Sequence, residues 1–260
     1  MKTKFYSMML VIAALVGFAS CSDDDDKSSL SETSKTIKVG ETFQLVYSDG
    51  NCAWSSDNDL IASVNNNGLV TGMHVGETTI HANNSTCKVK VEPNYTGVFE
   101  PCVQWGTNQA NVKKYMSGYP LDEEASDDET LLYYGIDNNI LLYTYNFENG
   151  KLDNSAFLAT YTYAGDYLAY YLAERYAIYD VDEENALVTM VTPDMQMAVG
   201  YMVTDEMGVL VMYIPISSLT RANNISSMFI NAIPENVKHN FTAINKSEKA
   251  AFIANCKLFK

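Results

Sequence analysis

CAWSSDNDLIASVNNNGLVTGMHVGETTIHANNSTCKVKVE, residues 52–92, decides how the first half of this chain folds. Its apolar residues come in short runs broken every few positions by glycine and asparagine, the pattern of brief strands joined by tight turns. Trp54, Val64, Val70 and Ile80 are expected between two sheets, and Gly68, Gly72 and Gly76 at the turns that separate them. Upstream the pattern continues. Val39-Gly40-Glu41 marks a turn, Phe43, Leu45 and Tyr47 alternate along a strand, and Asp49-Gly50-Asn51 turns again. Residues 36–93 therefore read as a small all-β sandwich.

The same elements, in the same order, resemble the bacterial immunoglobulin-like domain, group 2, of surface proteins and adhesins. The resemblance is carried by Val39-Gly40-Glu41, Trp54-Ser55-Ser56, Ile61-Ala62-Ser63-Val64, Asn67 through Gly72, Val75 through Ile80, and the closing Val89-Lys90-Val91. It implies a spacer or adhesive module without a catalytic set.

Outward from this domain, Lys2 and Lys4 precede an apolar run from Met8 to Phe18 that closes on Ala19 and Ser20. That is the pattern of a secretory signal peptide over residues 1–20, with a run too short to span a bilayer, which takes about 20 residues. Phe18-Ala19-Ser20-Cys21 resembles the lipobox of bacterial lipoproteins, with Phe18 where that family usually carries Leu, Val or Ile. The resemblance implies a lipid-modified Cys21. Ser22 and the run Asp23, Asp24, Asp25 and Asp26 look like the acidic signal that sends some lipoproteins to the outer face of the outer membrane, a plain charged spacer being the alternative. Residues 21–35 are then an anchor and acidic linker.

Composition agrees with export. The chain carries 32 acidic and 17 basic residues, a net charge of −15, and loss of Lys2 and Lys4 with the leader would make it −17. Nucleic acid is excluded as a partner by that charge. With Cys21 set aside as the anchor, Cys52, Cys87, Cys102 and Cys256 remain. Four cysteines allow three connectivities, and the domain division favours Cys52 with Cys87 and Cys102 with Cys256.

Residues 94–260 read as an α+β domain. Thr107 or Asn108 caps a helix with the stripe Val112, Tyr115, Met116 and Tyr119, stopped by Gly118 and Pro120. Strands follow at Leu131–Ile136, Ile140–Phe147 and about Leu152–Thr160, with a hairpin at Asn149-Gly150. The order then recurs: Asp166 would cap a second helix with the stripe Leu168, Tyr171, Leu172 and Arg175, before strands at Ala186–Thr192, Met195–Val203 and Val209–Ile216. Two helix-plus-meander repeats are expected, an order that loosely resembles small lipoprotein domains of the outer-membrane assembly and β-lactamase-inhibitor type. EPCVQWGTNQANVKKYM, residues 100–116, is also similar to a segment of bacterial surface lipoproteins. A last helix capped by Ser247 would present Phe252, Cys256 and Phe259 on one side.

No constellation of catalytic residues stands out. His74, His81 and His239 lack partners at ligand spacing, and Ser55, Ser56, Asp57 and Asp59 read as an oxygen-rich turn rather than a calcium loop. Asp180, Asp182, Glu183 and Glu184 read as a solvated loop between helix and strand. Met190, Met195, Met197 and Met202 are the residue type for soft copper but read as core filling. The 18 tyrosines include Tyr133, Tyr134, Tyr143, Tyr145, Tyr161, Tyr163, Tyr167, Tyr170 and Tyr171, some of which would stack on sugars if exposed on one sheet face. The expectation is a non-enzymatic, cofactor-free and metal-free surface lipoprotein, outward-facing on the outer membrane. It would bind a glycan or a host or cell-surface protein. The alternatives are a glycan-binding accessory of nutrient uptake and, last, a hydrolase.

Overall fold

The computed structural model describes residues 29–183, 186–203 and 208–219. The signal peptide, Cys21, the acidic run Ser22–Asp26, His239, Cys256 and the expected last helix lie outside the described residues. No helix among the described residues is long and apolar enough to cross a membrane.

The N-terminal domain is a two-sheet sandwich. One sheet has the order β1 (Ser34–Lys38), β7 (Ser85–Glu92), β6 (Gly76–Ala82), β3 (Trp54–Ser56), and the other β2 (Thr42–Gln44), β5 (Leu69–Gly72), β4 (Ala62–Val64). Pairing is antiparallel except that β1 runs parallel to β7, aligning Ser34 with Lys88 and Lys38 with Glu92. The alternation read from the sequence is the packing observed: Val70, Ile80, Val89 and Val91 are buried between the sheets, with Trp54, Val64 and Phe43 packed at the margins. The domain begins upstream of residue 36, because Leu30 bridges Tyr47 and is buried with it.

Gly68 shows why the turns need glycine. Its φ is +79°, and a Cβ there would lie 2.5 Å from the Leu45 carbonyl oxygen and 2.7 Å from the Trp54 ring. Gly72 is required for space alone, a Cβ meeting the Lys38 carbonyl oxygen at 2.8 Å.

The second region is sheet-rich with few helices, and its strands form one seven-stranded antiparallel sheet rather than two separate units. The helix α1 (Gln109–Tyr115) precedes a meander of β8 (Thr130–Tyr134), β9 (Ile140–Glu148) and β10 (Lys151–Ala159). A second helical stretch precedes the meander of β11 (Ala177–Asp182), β12 (Leu187–Val191), β13 (Met197–Val203) and β14 (Val209–Pro215). The two meanders join because β14 pairs with β10 through Ser155–Tyr213 to Ala159–Val209, giving the order β11-β12-β13-β14-β10-β9-β8. Helix α4 (Ile216–Leu219) follows. Strand β11 was not expected, since its acidic sequence reads as a loop. It is an edge strand, and its bulge between Ile178 and Asp180 with the two aspartates blunts that edge against pairing with another chain.

The second helical stretch also departs from expectation. It starts at Thr160 and runs through α2 (Tyr161–Tyr163), a π-helical turn (Ala164–Leu168) and α3 (Ala169–Ala173), so position 166 lies inside it and not at its cap. The wider turn has a visible cause. The Ala164 carbonyl accepts from the Ala169 N–H, five residues on, and also from the Tyr201 hydroxyl at 3.0 Å. Its buried stripe, Leu168, Tyr171 and Leu172, lies on the sheet as expected. α1 matches its reading, with Asn108 capping the Asn111 N–H at 3.1 Å and Val112 and Met116 buried.

Candidate functional site

Between the two domains runs a strap, residues 94–106, with no helix or strand of its own. Pro101 has no backbone donor, and Gly97 and Gly106 adopt φ of +93° and +75°, so the segment cannot join a ladder. It crosses one face of the large sheet and is fixed there by tyrosine hydroxyls. Tyr143 donates to the Phe99 carbonyl at 3.1 Å, Tyr115 to the Glu100 carbonyl at 3.0 Å, and Tyr167 to the Thr96 carbonyl. The Cys102 N–H in turn donates to the Tyr145 hydroxyl at 3.4 Å, which itself donates to Met116 Sδ at 2.8 Å.

Glu100 fastens the strap through its side chain as well as its backbone. One carboxylate oxygen accepts from the hydroxyls of Tyr176 at 2.7 Å and Tyr213 at 2.9 Å, both buried. Burial, reinforced by this negative charge, drives both phenols well above their ordinary range. Tyr171 is raised by the same two causes, while the Arg175 guanidinium, 3.6 Å from its ring centroid, opposes the shift. Tyr143 and Tyr145 are raised chiefly by burial. Aromatic contacts link Tyr115, Phe99, Tyr119, Tyr143, Phe157, Tyr213 and Tyr176 into one row through this core.

A second carboxylate locks the domains together. Glu174 is only 6% exposed and accepts from the Asn94 N–H at 2.8 Å, Asn94 Nδ2 at 2.7 Å and the Tyr95 N–H at 2.9 Å. Its backbone carbonyl accepts from the Val75 N–H of the sandwich at 2.7 Å. Asn94 Nδ2 also reaches the Val39 carbonyl at 3.1 Å, and Asn58 Nδ2 donates to the Pro193 carbonyl at 2.9 Å. Arg175 completes the junction by donating to the Tyr95 carbonyl at 3.0 Å. Neither glutamate is singled out by spacing in the sequence. The available signal was a Glu-Arg pair ending an apolar helical stripe and a glutamate preceding a proline.

The residues nominated from sequence scatter. His81 Nε2 lies 2.8 Å from Asp57, His74 Nδ1 lies 2.5 Å from the Leu60 carbonyl, and the Asn58 side chain accepts from the Leu60 N–H at 3.0 Å within the turn. Among the described residues no three His, Cys, Asp or Glu side chains are grouped to hold a metal ion. The methionines do not converge: Met190 and Met197 are buried on one face of the sheet, Met202 packs on the other, and Met195 sits 44% exposed in the turn before β13. Asp180 and Asp182 belong to β11. Of the nine tyrosines considered for sugar stacking, Tyr133, Tyr143, Tyr145 and Tyr171 are core residues. Tyr134, 50% exposed, donates to Asp122 at 2.5 Å near the β8 edge, while Tyr170, 38% exposed, stacks on Tyr95 beside the domain junction. Tyr163 and Tyr167 join Tyr170 through Tyr95 in one partly exposed aromatic cluster, from which Tyr134 is separate.

The expected Cys52–Cys87 bridge is absent, both residues standing unpaired. Cys87 pairs with Ile80, and Ile80 with Ser56, so Cys87 lies two strands across from β3 and level with a residue four positions beyond Cys52. Two strand spacings are about 10 Å, beyond the roughly 7 Å limit between disulfide-linked Cα atoms. Sequence parity placed both residues toward the core but could not show β6 standing between them. Cys102 is buried under the strap, and Cys256 lies outside the described residues.

A shallow groove of about 560 Å³ on the outer sheet of the sandwich is lined by residues including Lys88, Lys90, Thr36, Thr79 and Glu77. Lys90 is paired with Glu92 at 2.9 Å.

Residues 26–92 match the bacterial Ig-like domain (group 2) family. The match coincides with the sandwich and stops where the strap begins. No curated protein matches the chain.

Proposed function

We propose that this chain is a surface-exposed bacterial lipoprotein with a non-catalytic binding or adhesive role. In this reading Cys21 carries the lipid, Ser22 to Asp26 mark the chain for the outer face of the outer membrane, and the Ig-like domain spaces the C-terminal domain from the membrane. The observation that carries it is the match of residues 26–92 to an Ig-like family, a non-catalytic domain type that suggests a surface or adhesive role in bacteria. The network around the strap supports it. Glu100 and Glu174, the two carboxylates that fasten the strap, hold structure rather than face a cleft. The junction supports it too, because a spacer transmits position only if its connection is stiff.

The partner is a protein or glycan on a cell or matrix surface. Tyr170 and Tyr95 offer an aromatic pair for the glycan reading, in which the protein serves nutrient uptake. Purified residues 21–260 on an array of glycans and matrix proteins test the proposal. Saturable retention on one ligand class, with no turnover, is expected. Turnover of an arrayed glycan would replace it with the hydrolase reading, and retention lost on Tyr170→Ala would select the glycan.

A further inference from the structure

Four tyrosine rings touch in one row where the strap meets the second helical stretch. Tyr163 stacks on Tyr167 with centroids 5.7 Å apart and planes 18° apart, Tyr167 meets Tyr95 edge-on at 5.4 Å, and Tyr95 stacks on Tyr170 at 5.5 Å and 14°. Tyr170 is 38% exposed and the other three are half-buried. The stripe that this helical stretch lays on the sheet is Leu168, Tyr171 and Leu172, so the row stands at the margin of the core and opens to solvent.

The rings are held in place. The Tyr95 N–H donates to Glu174 at 2.9 Å and its carbonyl accepts from Arg175 at 3.0 Å. The Tyr167 hydroxyl donates to the Thr96 carbonyl and accepts from the Thr96 N–H at 3.1 Å. The π-helical turn Ala164–Leu168 follows directly on Tyr163 and carries Tyr167, and turns of this kind are frequent at functional sites. Polar groups border the row. The Thr160 N–H donates to the Asn139 carbonyl at 2.9 Å, which brings the β8–β9 turn beside the start of the helical stretch with Asp137, Asn138 and Asn139 exposed. Asp137 is fixed by the N–H groups of Asn139 at 2.8 Å and Ile140 at 3.0 Å. Burial, then Tyr167, then the Asp137 carboxylate raise the Tyr163 hydroxyl, which marks Asp137 as a neighbour of the row.

We propose that this row is the ligand site and that it takes a neutral glycan. It rests on the binding role proposed above and narrows the partner. Ring faces attract the C–H face of a sugar ring, and rings already immobilised lose little entropy on binding. The carboxylate and carboxamides of residues 137–139 accept from and donate to sugar hydroxyls. Asp137 and the net charge of −15 disfavour a glycan that carries carboxylate or sulfate groups.

The full chain, purified in detergent, is run in native gels containing laminarin, mannan, xyloglucan or pullulan, with polygalacturonic acid as the charged control. Retardation by a neutral polysaccharide and none by polygalacturonic acid is expected, with a shift in the tyrosine absorbance of the wild-type chain on binding. Affinity should fall about tenfold in Tyr170→Ala and in Tyr163→Ala. Tyr170→Phe and Tyr163→Phe keep the rings and should bind as wild type, and so should Tyr134→Ala, which removes a tyrosine 50% exposed but outside the row. No retardation by any neutral polysaccharide, retardation by polygalacturonic acid alone, or affinity unchanged in both alanine variants of the row would overturn the proposal. Retention on an arrayed matrix protein alongside any of these would leave the binding role standing with another ligand, whereas no retention on gels or array removes both.

Discussion

Replacing Glu174 with alanine should uncouple the two domains. The side chain is buried and accepts three hydrogen bonds, two of them from backbone N–H groups that have no alternative partner once it is gone. A hydrogen bond to a charged group contributes about 1.5–3 kcal/mol, and a buried donor left without a partner costs about 1–3 kcal/mol. Asn94 Nδ2 keeps the Val39 carbonyl, so the loss is dominated by the two backbone donors and should total about 3–5 kcal/mol. Glu174→Gln retains the shape and one acceptor oxygen and should cost about half as much. The probes are built into the chain, whose two tryptophans fall one in each domain: Trp54 packs on the sandwich core and Trp105 on the core of the large sheet. Urea unfolding of Trp54→Phe and Trp105→Phe then reports each domain alone. With Glu174 present the two midpoints should coincide; in Glu174→Ala the Trp105 transition should move to lower urea and separate from that of Trp54. Midpoints already separate with Glu174 intact, or coincident and unmoved without it, would refute the clamp.

Tyr213→Phe should cost about 1–2 kcal/mol by removing a hydroxyl from Glu100, read as a lower urea midpoint. Alkaline pH should unfold the protein: Tyr143, Tyr145, Tyr171, Tyr176 and Tyr213 all ionise above their ordinary value of 10.0 when folded, so the unfolded chain binds fewer protons above that pH and stability falls as pH rises. Absorbance at 295 nm should show the exposed tyrosines ionising first and these only with loss of the folded circular dichroism signal; ionisation of all tyrosines in one step near pH 10 with the fold intact would count against it. Gly68→Ala should destabilise the sandwich by at least about 1–3 kcal/mol, since it adds both a strained φ and a collision with Leu45 and Trp54, and an unchanged Trp54 transition would contradict that. Thiol titration of the denatured, unreduced protein should find Cys52 and Cys87 free, against a mass-mapped bridge.

The sandwich was legible because its signals are local: each turn needs its own glycine, and each strand shows its own alternation, as Val70 and Ile80 do. The same locality recovered α1, with its Asn108 cap, and six strands of the large sheet. What escaped was set by contacts far apart in sequence. The pairing of β10 with β14, which makes one sheet of two meanders, joins residues 50 or more positions apart. β11 was hidden by acids that suit an edge strand as well as a loop, and the π-helical turn depends on Tyr201, 37 residues from Ala164. Tyr143, Tyr145 and Tyr213 were assigned to strands correctly, but their hydroxyls gained their role only when the strap passed over them. Glu100 reaches Tyr213, 113 residues away, and no periodicity announces such a pair.

Protease treatment of intact cells is the most direct test of surface display. Full-length protein should be digested from the outside without permeabilising the outer membrane, and Cys21→Ala should release it from the membrane fraction. Protection of the wild-type protein until the outer membrane is opened, or retention of Cys21→Ala on the membrane, would contradict a lipid-anchored protein displayed on the cell surface.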